Sequence, residues 1–326
     1  MPESTGSAGV RGALRAYVDA ARLRTLPLAG ATACTGGALG AQALGGPGHL
    51  DARFWWTFGG AWATVWTLQI LSNFANDLGD AENGADRGDG AEHGVRADRA
   101  VASGRISTAD MRRAVIVTAL VAFGFGVFTV GAATWGTELL WMAFGWIAAG
   151  LVSIAAAYRY TAGRSPYGYK GWGDVAVLVF FGWIGVTGTA VLTSGGQFAW
   201  SWLMPATFVG AMGMAVLNLN NMRDASRDAA TGKKTLALRL GERGARVYHA
   251  ALFVVGWALL VLFLLVVSPV PWRGWYWMVL MALVHAAHLR FVFMKGPPEG
   301  LDDELKKVAL STALVALAML FSVIRG

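Results

Sequence analysis

Nine stretches of mostly apolar residues recur along the chain, at about 26–46, 53–75, 112–134, 139–158, 174–194, 199–219, 247–268, 274–294 and 305–324. Each is close to the roughly 20 residues that a helix needs to cross the hydrocarbon core of a bilayer. The pattern predicts an all-α, polytopic membrane bundle of nine transmembrane helices joined by cytoplasmic cap loops. The first stretch is rich in Gly and Ala and is the weakest in hydropathy; the last begins among charges. Residues 1–24 carry Arg11, Arg15, Asp19, Arg22 and Arg24 and lack an apolar core followed by a small-residue cleavage site. They read as a polar arm before a single membrane domain, 25–326, and not as a signal peptide.

Charge adds an orientation to this pattern. Four Lys or Arg precede residue 26, six lie between 76 and 113, three between 159 and 173, seven between 220 and 246, and four between 290 and 307. Together these are 24 of the 27, which leaves Arg53, Arg273 and Arg325 for the opposite side. Cytoplasmic loops carry the Lys/Arg excess. The split predicts a cytoplasmic N-terminus and an outside C-terminus; the expected location is the inner (cytoplasmic) membrane of the cell. The net charge of +7 is then a record of topology and not of nucleic-acid binding. Composition agrees: 55% of residues are hydrophobic, 14% are charged, and the mean hydropathy is +0.48, whereas a soluble domain has about 25% charged residues. One cysteine, Cys34, excludes an intrachain disulfide.

Two loops on the inside, 73–110 and 218–246, hold the polar residues of interest. The first opens with Asn73, Asn76, Asp77 and Asp80 at the end of the second apolar stretch and continues through Glu82, Asp86 and Asp89. The second opens with Asn218, Asn220, Asn221, Arg223, Asp224, Arg227 and Asp228 at the end of the sixth. Asp77 and Asp80 stand at i and i+3; Asn220, Asp224 and Asp228 stand at i, i+4 and i+8. If the helices continue, each motif presents oxygens on one face. Mg²⁺ takes oxygen ligands and is commonly held by one or two carboxylates plus substrate phosphate oxygens. Asp77, Asp80, Asp224 and Asp228, with Asn76, are the expected ligands of two Mg²⁺ ions, with Mn²⁺ as a substitute. Neither motif contains His or Cys, which disfavours zinc or iron. Ionisable groups at membrane depth are costly and default to function; Glu82, Asp89 and Glu92 read as solvated loop acids.

Arg223, Arg227, Lys233 and Lys234 either neutralise a leaving diphosphate or sit on the cytoplasmic surface. Gly232-Lys233-Lys234-Thr235 echoes the end of a P-loop, but Arg227 stands where the earlier glycine is required and no strand precedes it. Most of the 15 Trp and 16 Phe belong to lipid-facing or interfacial positions. A few facing a cavity would stabilise a carbocation by cation–π contact. His285 and His288 have no acidic partner nearby in sequence and read as packing residues. His93 lies in the loop of the first motif and is a substrate-site candidate.

Asn-Asp-x-x-Asp at 76–80 and Asp-x-x-x-Asp at 224–228, on nine helices, resemble the UbiA superfamily of membrane prenyltransferases. Arg24-Thr25-Leu26-Pro27, Leu68 to Asp77, Pro166 to Asp174, and Asn220 to Ala237 are similar to its naphthoate branch, and the resemblance spans roughly 20 to 325. Two departures stand out. A third aspartate four residues after Asp80 is replaced by Gly84, with Asp86 as the nearest substitute. A Tyr-x-x-x-Lys pattern appears only as Tyr160-x-x-x-Arg164, with Lys170 as an alternative cation.

The resemblance implies a Mg²⁺-dependent transfer of a polyprenyl chain from its diphosphate to 1,4-dihydroxy-2-naphthoate, with loss of CO₂. It also implies an isoprenoid tail lying between helices beside the lipid bilayer. Asn73, Asn76, Asn220, Asn221, Arg164, Lys170, Arg223, Arg227, Lys233 and Lys234 are the implied diphosphate residues. Asp86, His93, Tyr160, Tyr167 and Asp174 are the acceptor-site candidates. A different aromatic acceptor (4-hydroxybenzoate, phytyl or haem type) is the nearest rival. A cation-coupled transporter is the distant one, because transporters place ion sites near the midplane on broken helices, whereas both motifs here sit at one face.

Overall fold

The computed structural model describes residues 5–84, 99–268, 275–294 and 300–325, and among these it is helical throughout, without strands. The helices are α1 (Thr5–Ala21), α2 (Leu26–Ala43), α3 (Ala52–Glu82), α4 (Thr108–Thr134), α5 (Leu140–Arg159), α6 (Gly173–Val177), α7 (Thr187–Thr193), α8 (Leu203–Arg223), α9 (Ala225–Ala230), α10 (Leu236–Val266), α11 (Trp275–Met294) and α12 (Leu301–Ile324). α6 and α7 are the two ends of one rod whose middle, Leu178–Val186, is wound in wider π turns. Thr32 Oγ1 reaches across from α2 to donate to Phe181 O in that middle section.

Local chemistry starts several of these helices. Asp51 accepts from Phe54 N at the head of α3, Ser107 from Asp110 N at α4, and Thr235 from Leu238 N at α10. Each satisfies an N–H that the helix cannot bond itself. Within the polar arm expected over 1–24, residues 5–21 form α1. Its Ala16, Ala20 and Ala21 pack against Leu71, Phe74 and Leu78 of α3 and Met111 of α4.

Seven helices among the described residues are long and apolar enough to cross a membrane, not nine. The other two expected spans, α2 and α3, are present as helices at the expected places but do not reach the mean hydropathy of the seven. The reason for α2 is its position. It is buried from Leu28 to Ala41 among other helices and does not face lipid. Its small residues let backbones approach: a Cβ on Gly36 would sit 2.5 Å from Thr189 Cβ of α7, and one on Gly40 would run into Thr193 Oγ1. Close approach through small residues is how helices associate where lipid removes the hydrophobic drive. The main core joins α2, α7, α8, α10, α11 and α12 through residues such as Leu39, Phe208, Met212, Phe253, Leu260 and Val315.

His288 departs from expectation. Its Nδ1 lies 2.6 Å from Glu304 Oε2, and its Nε2 lies 2.8 Å from His249 Nε2. His285 bonds Ser311 Oγ and accepts from Trp257 Nε1. The acidic partner comes from the next helix, 16 residues on, a separation that local reading does not bridge. These histidines still pack, but as a buried polar network across α10, α11 and α12.

Candidate active site

The end of α3 sets the geometry of the first motif. Asn76 and Asp80 are one turn apart and both line a small polar chamber of about 80 Å³. The helix turns about 100° per residue, which carries Asp77 away to another side. Asp77 is fully buried, and its carboxylate accepts from Ala100 N (2.8 Å) and Val101 N (3.4 Å). It does not line the chamber. The expectation that Asp77 and Asp80 present oxygens to one ion therefore does not match the side-chain directions. Gly79, between them, is obligatory: a Cβ there would sit 2.5 Å from Thr161 C and O. That contact brings in the loop after α5, whose Thr161 Oγ1 donates to Asn76 Oδ1 (2.9 Å).

Asp80 is the centre of the chamber. Arg99 Nη2 lies 2.7 Å from its Oδ2, Lys233 Nζ lies 3.0 Å from its Oδ1, and Tyr169 Oη donates to Oδ1 at 2.5 Å. Lys233 also lies 3.5 Å from Asp228 Oδ1 and over the Tyr169 ring. One ammonium thus joins the two acidic motifs.

In the second motif, α8 ends and α9 begins at Asp224, so both Asp224 and Asp228 line the chamber. Arg223 holds Asp224 in a two-point pair, Nε to Oδ1 (2.9 Å) and Nη2 to Oδ2 (2.7 Å), while its Nη1 bonds Asp302 of α12. Burial raises Asp228 to about 6 against the opposing charge of Lys233.

The chamber shares Arg22, Asn76, Tyr160, Leu217 and Asn220 with a larger cavity of about 180 Å³. That cavity shares Val65, Leu68, Ser153 and Phe180 with an apolar one of about 120 Å³ between α3, α4, α5 and the α6–α7 rod. The polar end therefore leads through a mixed middle to an apolar end.

The other expected residues divide. Asn220 and Asn221 line the chamber, Tyr160 lines both it and the middle cavity, and Asn73 and Tyr167 line the middle cavity. Asn73 is held by its donations to Ala21 O and Thr25 Oγ1. Arg227 is half-buried outside the chamber; Arg164, Lys170 and Lys234 are exposed and outside it. They follow loops that reach the site through other residues: Lys234 N donates to Tyr169 O, and Lys170 O accepts from Arg239. Asp174 is buried against Tyr248 Oη (2.8 Å), away from all three cavities. Asp86 and His93 lie outside the described residues. The sequence reading missed Arg99 and Tyr169. Arg99 stands 19 residues from Asp80 in an unpatterned loop, and Tyr169 lies within Pro166 to Asp174, where neither spacing nor charge singles it out.

Among the described residues no three His, Cys, Asp or Glu side chains converge on one point. The donors are nonetheless hard oxygens from Asp80, Asp224, Asp228, Asn76 and Asn220 around one chamber. This set fits a Mg²⁺ whose coordination is completed by substrate phosphate oxygens.

The UbiA prenyltransferase family model matches residues 30–303. The chain is 36% identical over 315 residues to the 1,4-dihydroxy-2-naphthoate octaprenyltransferase of Haemophilus influenzae, covering 96% of this chain and 97% of that protein. Among solved structures, a UbiA homologue from Aeropyrum pernix aligns with a TM-score of 0.64 at 15% identity, over 88% of this chain and 95% of that one. A UbiA homologue from Archaeoglobus fulgidus, bound to DMAPP and Mg²⁺, aligns with a TM-score of 0.52 at 16% identity, over 93% and 98%.

Proposed function

The chain belongs to the UbiA prenyltransferase family, and from that premise we propose that it transfers a polyprenyl group from polyprenyl diphosphate to 1,4-dihydroxy-2-naphthoate. The products are demethylmenaquinone, CO₂ and diphosphate. The relative of Haemophilus influenzae, alike over nearly the full length of both chains, supports the acceptor. The observation that carries the mechanism is the chamber in which Lys233 joins Asp80 and Asp228, opening by stages into an apolar cavity.

The diphosphate fits the polar end and the isoprenoid tail the apolar end, where hydrocarbon meets hydrocarbon. Asp80, Asp224 and Asp228, with Asn76 and Asn220, would hold Mg²⁺, two ions by our reading, with Mn²⁺ as a substitute. When bound, the metal supplies positive charge to the leaving diphosphate. Arg99, Lys233 and Arg223 add fixed charge at the same end, the preorganised kind of stabilisation that is large in such reactions. The allylic C–O bond breaks with its electron pair going to the diphosphate. Tyr160 and Phe180, on the walls of the middle cavity, offer ring faces to the resulting cation. The acceptor carbon that bears the carboxylate forms the new C–C bond. CO₂ then leaves, and its bonding pair restores the aromatic ring.

The site faces the cytoplasm in this reading, with the N-terminus inside and the C-terminus outside the inner membrane, as the Lys/Arg split indicates. Membranes containing the protein, given a polyprenyl diphosphate and carboxyl-labelled dihydroxynaphthoate, are expected to release labelled CO₂ in step with prenylated product. Prenylation of 4-hydroxybenzoate in preference would replace the acceptor.

A further inference from the structure

Asp77 sits in the most motif-like position of the chain, yet its carboxylate is turned to backbone. Two successive amides, Ala100 N and Val101 N, donate to its two oxygens. The residue immediately before them is Arg99, whose guanidinium contacts Asp80 Oδ2 (2.7 Å) and Asn76 O (3.4 Å). Residues 99–106 form turns and no helix, with Gly104 N bonded to Val101 O and Arg105 N to Ala100 O. Nothing in a regular element therefore fixes where Arg99 begins. Among the described residues, the carboxylate beneath and Ala100, buried among Leu71, Phe74 and Leu78, hold this segment. The bond from Ala100 N is short (2.8 Å) and that from Val101 N longer (3.4 Å); hydrogen bonds to an ionised carboxylate are about twice as strong as neutral ones, so Ala100 N is the main tie and Val101 N adds to it.

We propose that Asp77 is a positioning residue and not a metal ligand: it anchors the backbone of residues 100–101 and so sets Arg99 against Asp80 at the wall of the polar chamber. The part Arg99 plays toward the diphosphate rests on the function proposed above; the anchor itself does not. Asp77 and Asp80 then divide the motif. One faces the reaction, and the other holds a cation that faces it.

The test uses the full chain in membranes, with Asp77→Asn, Arg99→Gln and the double variant. Asp77→Asn is expected to lower kcat/KM for the prenyl diphosphate by about tenfold, mainly through kcat, because Arg99 is then misplaced against the charge that develops on the diphosphate. The Mg²⁺ concentration for half-maximal activity should stay where it is in the parent. In the Arg99→Gln background the Asp77→Asn change should add nothing. A rise of about tenfold or more in the Mg²⁺ requirement, persisting in that background, would make Asp77 a ligand and overturn the proposal. Equal losses in both backgrounds would also overturn it.

A second arm needs no substrate. In a Cys34→Ala background, a thiol placed by Val101→Cys should react with a maleimide about fivefold faster once Asp77→Asn frees the loop. Unchanged reactivity sinks the anchor whatever the enzyme's acceptor is. An inactive protein with the expected thiol response sinks the functional reading and keeps the anchor. If Asp77→Asn does not accumulate in membranes, Ala100→Pro keeps Asp77, removes one of the two donors and is read by the same assays.

Discussion

α3 carries the first acidic motif without interruption to Glu82, whereas α8 stops at Arg223 in the middle of the second. The difference decides how many carboxylates each motif can give to the chamber. On the unbroken helix, one turn separates the two chamber residues, Asn76 and Asp80, and the intervening Asp77 faces another way. At the break, Asp224 and Asp228 both face in. The partners differ as well. Asp80 is held by cations brought from distant loops, Arg99 and Lys233, while Asp224 is held by its own neighbour Arg223. A motif on a continuous helix borrows its charge partners from tertiary structure; one at a helix break carries a partner beside it.

Removing the divalent metal should affect both motifs at once and have the largest effect. Activity is expected to vanish under exhaustive EDTA and to return with Mg²⁺; full activity in EDTA would break the case for a shared oxygen-ligand site. Next in size, Asp80→Asn should cut kcat by on the order of a hundredfold or more, the scale of losing one preorganised transition-state contact. Adding Asp228→Asn to it should cost much less than the product of the two single losses, because groups joined through Lys233 act as a unit. If the two losses multiply, the motifs work independently and the comparison fails.

A smaller effect concerns the fold of the first motif. Gly79→Ala places a Cβ against the Thr161 backbone, and such overpacking costs about 1–3 kcal/mol. A lower thermal midpoint of the detergent-solubilised protein is expected, and a midpoint equal to the parent's would show that the loop after α5 can retreat. The smallest expected effect is that of Arg164→Gln. Its side chain is exposed and does not line the chamber, and surface substitutions change stability little, so the initial rate should change by less than about twofold. A large loss would restore Arg164 to the site.

Much of this protein is local in origin. Apolar stretches of span length and the polar residues that close two of them are properties of the sequence, because lipid demands internally bonded helices and tolerates ionisable groups only where they serve. Asn76, Asp80, Asn220, Asp224 and Asp228 could therefore be named before any coordinates. Other facts depend on what lies across the space between helices. That α2 could be so weakly apolar followed from its burial among other helices, which a single helix's hydropathy does not reveal. That His288 has an acid partner depended on the start of α12 lying beside α11. That Arg99 and Tyr169 belong to the chamber, and Arg164 and Lys170 do not, was decided by where loops cross the helix ends. Asp77 shows the boundary most sharply. Its spacing to Asp80 permitted a shared face, and only the passage of residues 100–101 over α3 settled that its carboxylate binds backbone, because an amide pair at hydrogen-bond distance outweighs any preference that spacing alone can express.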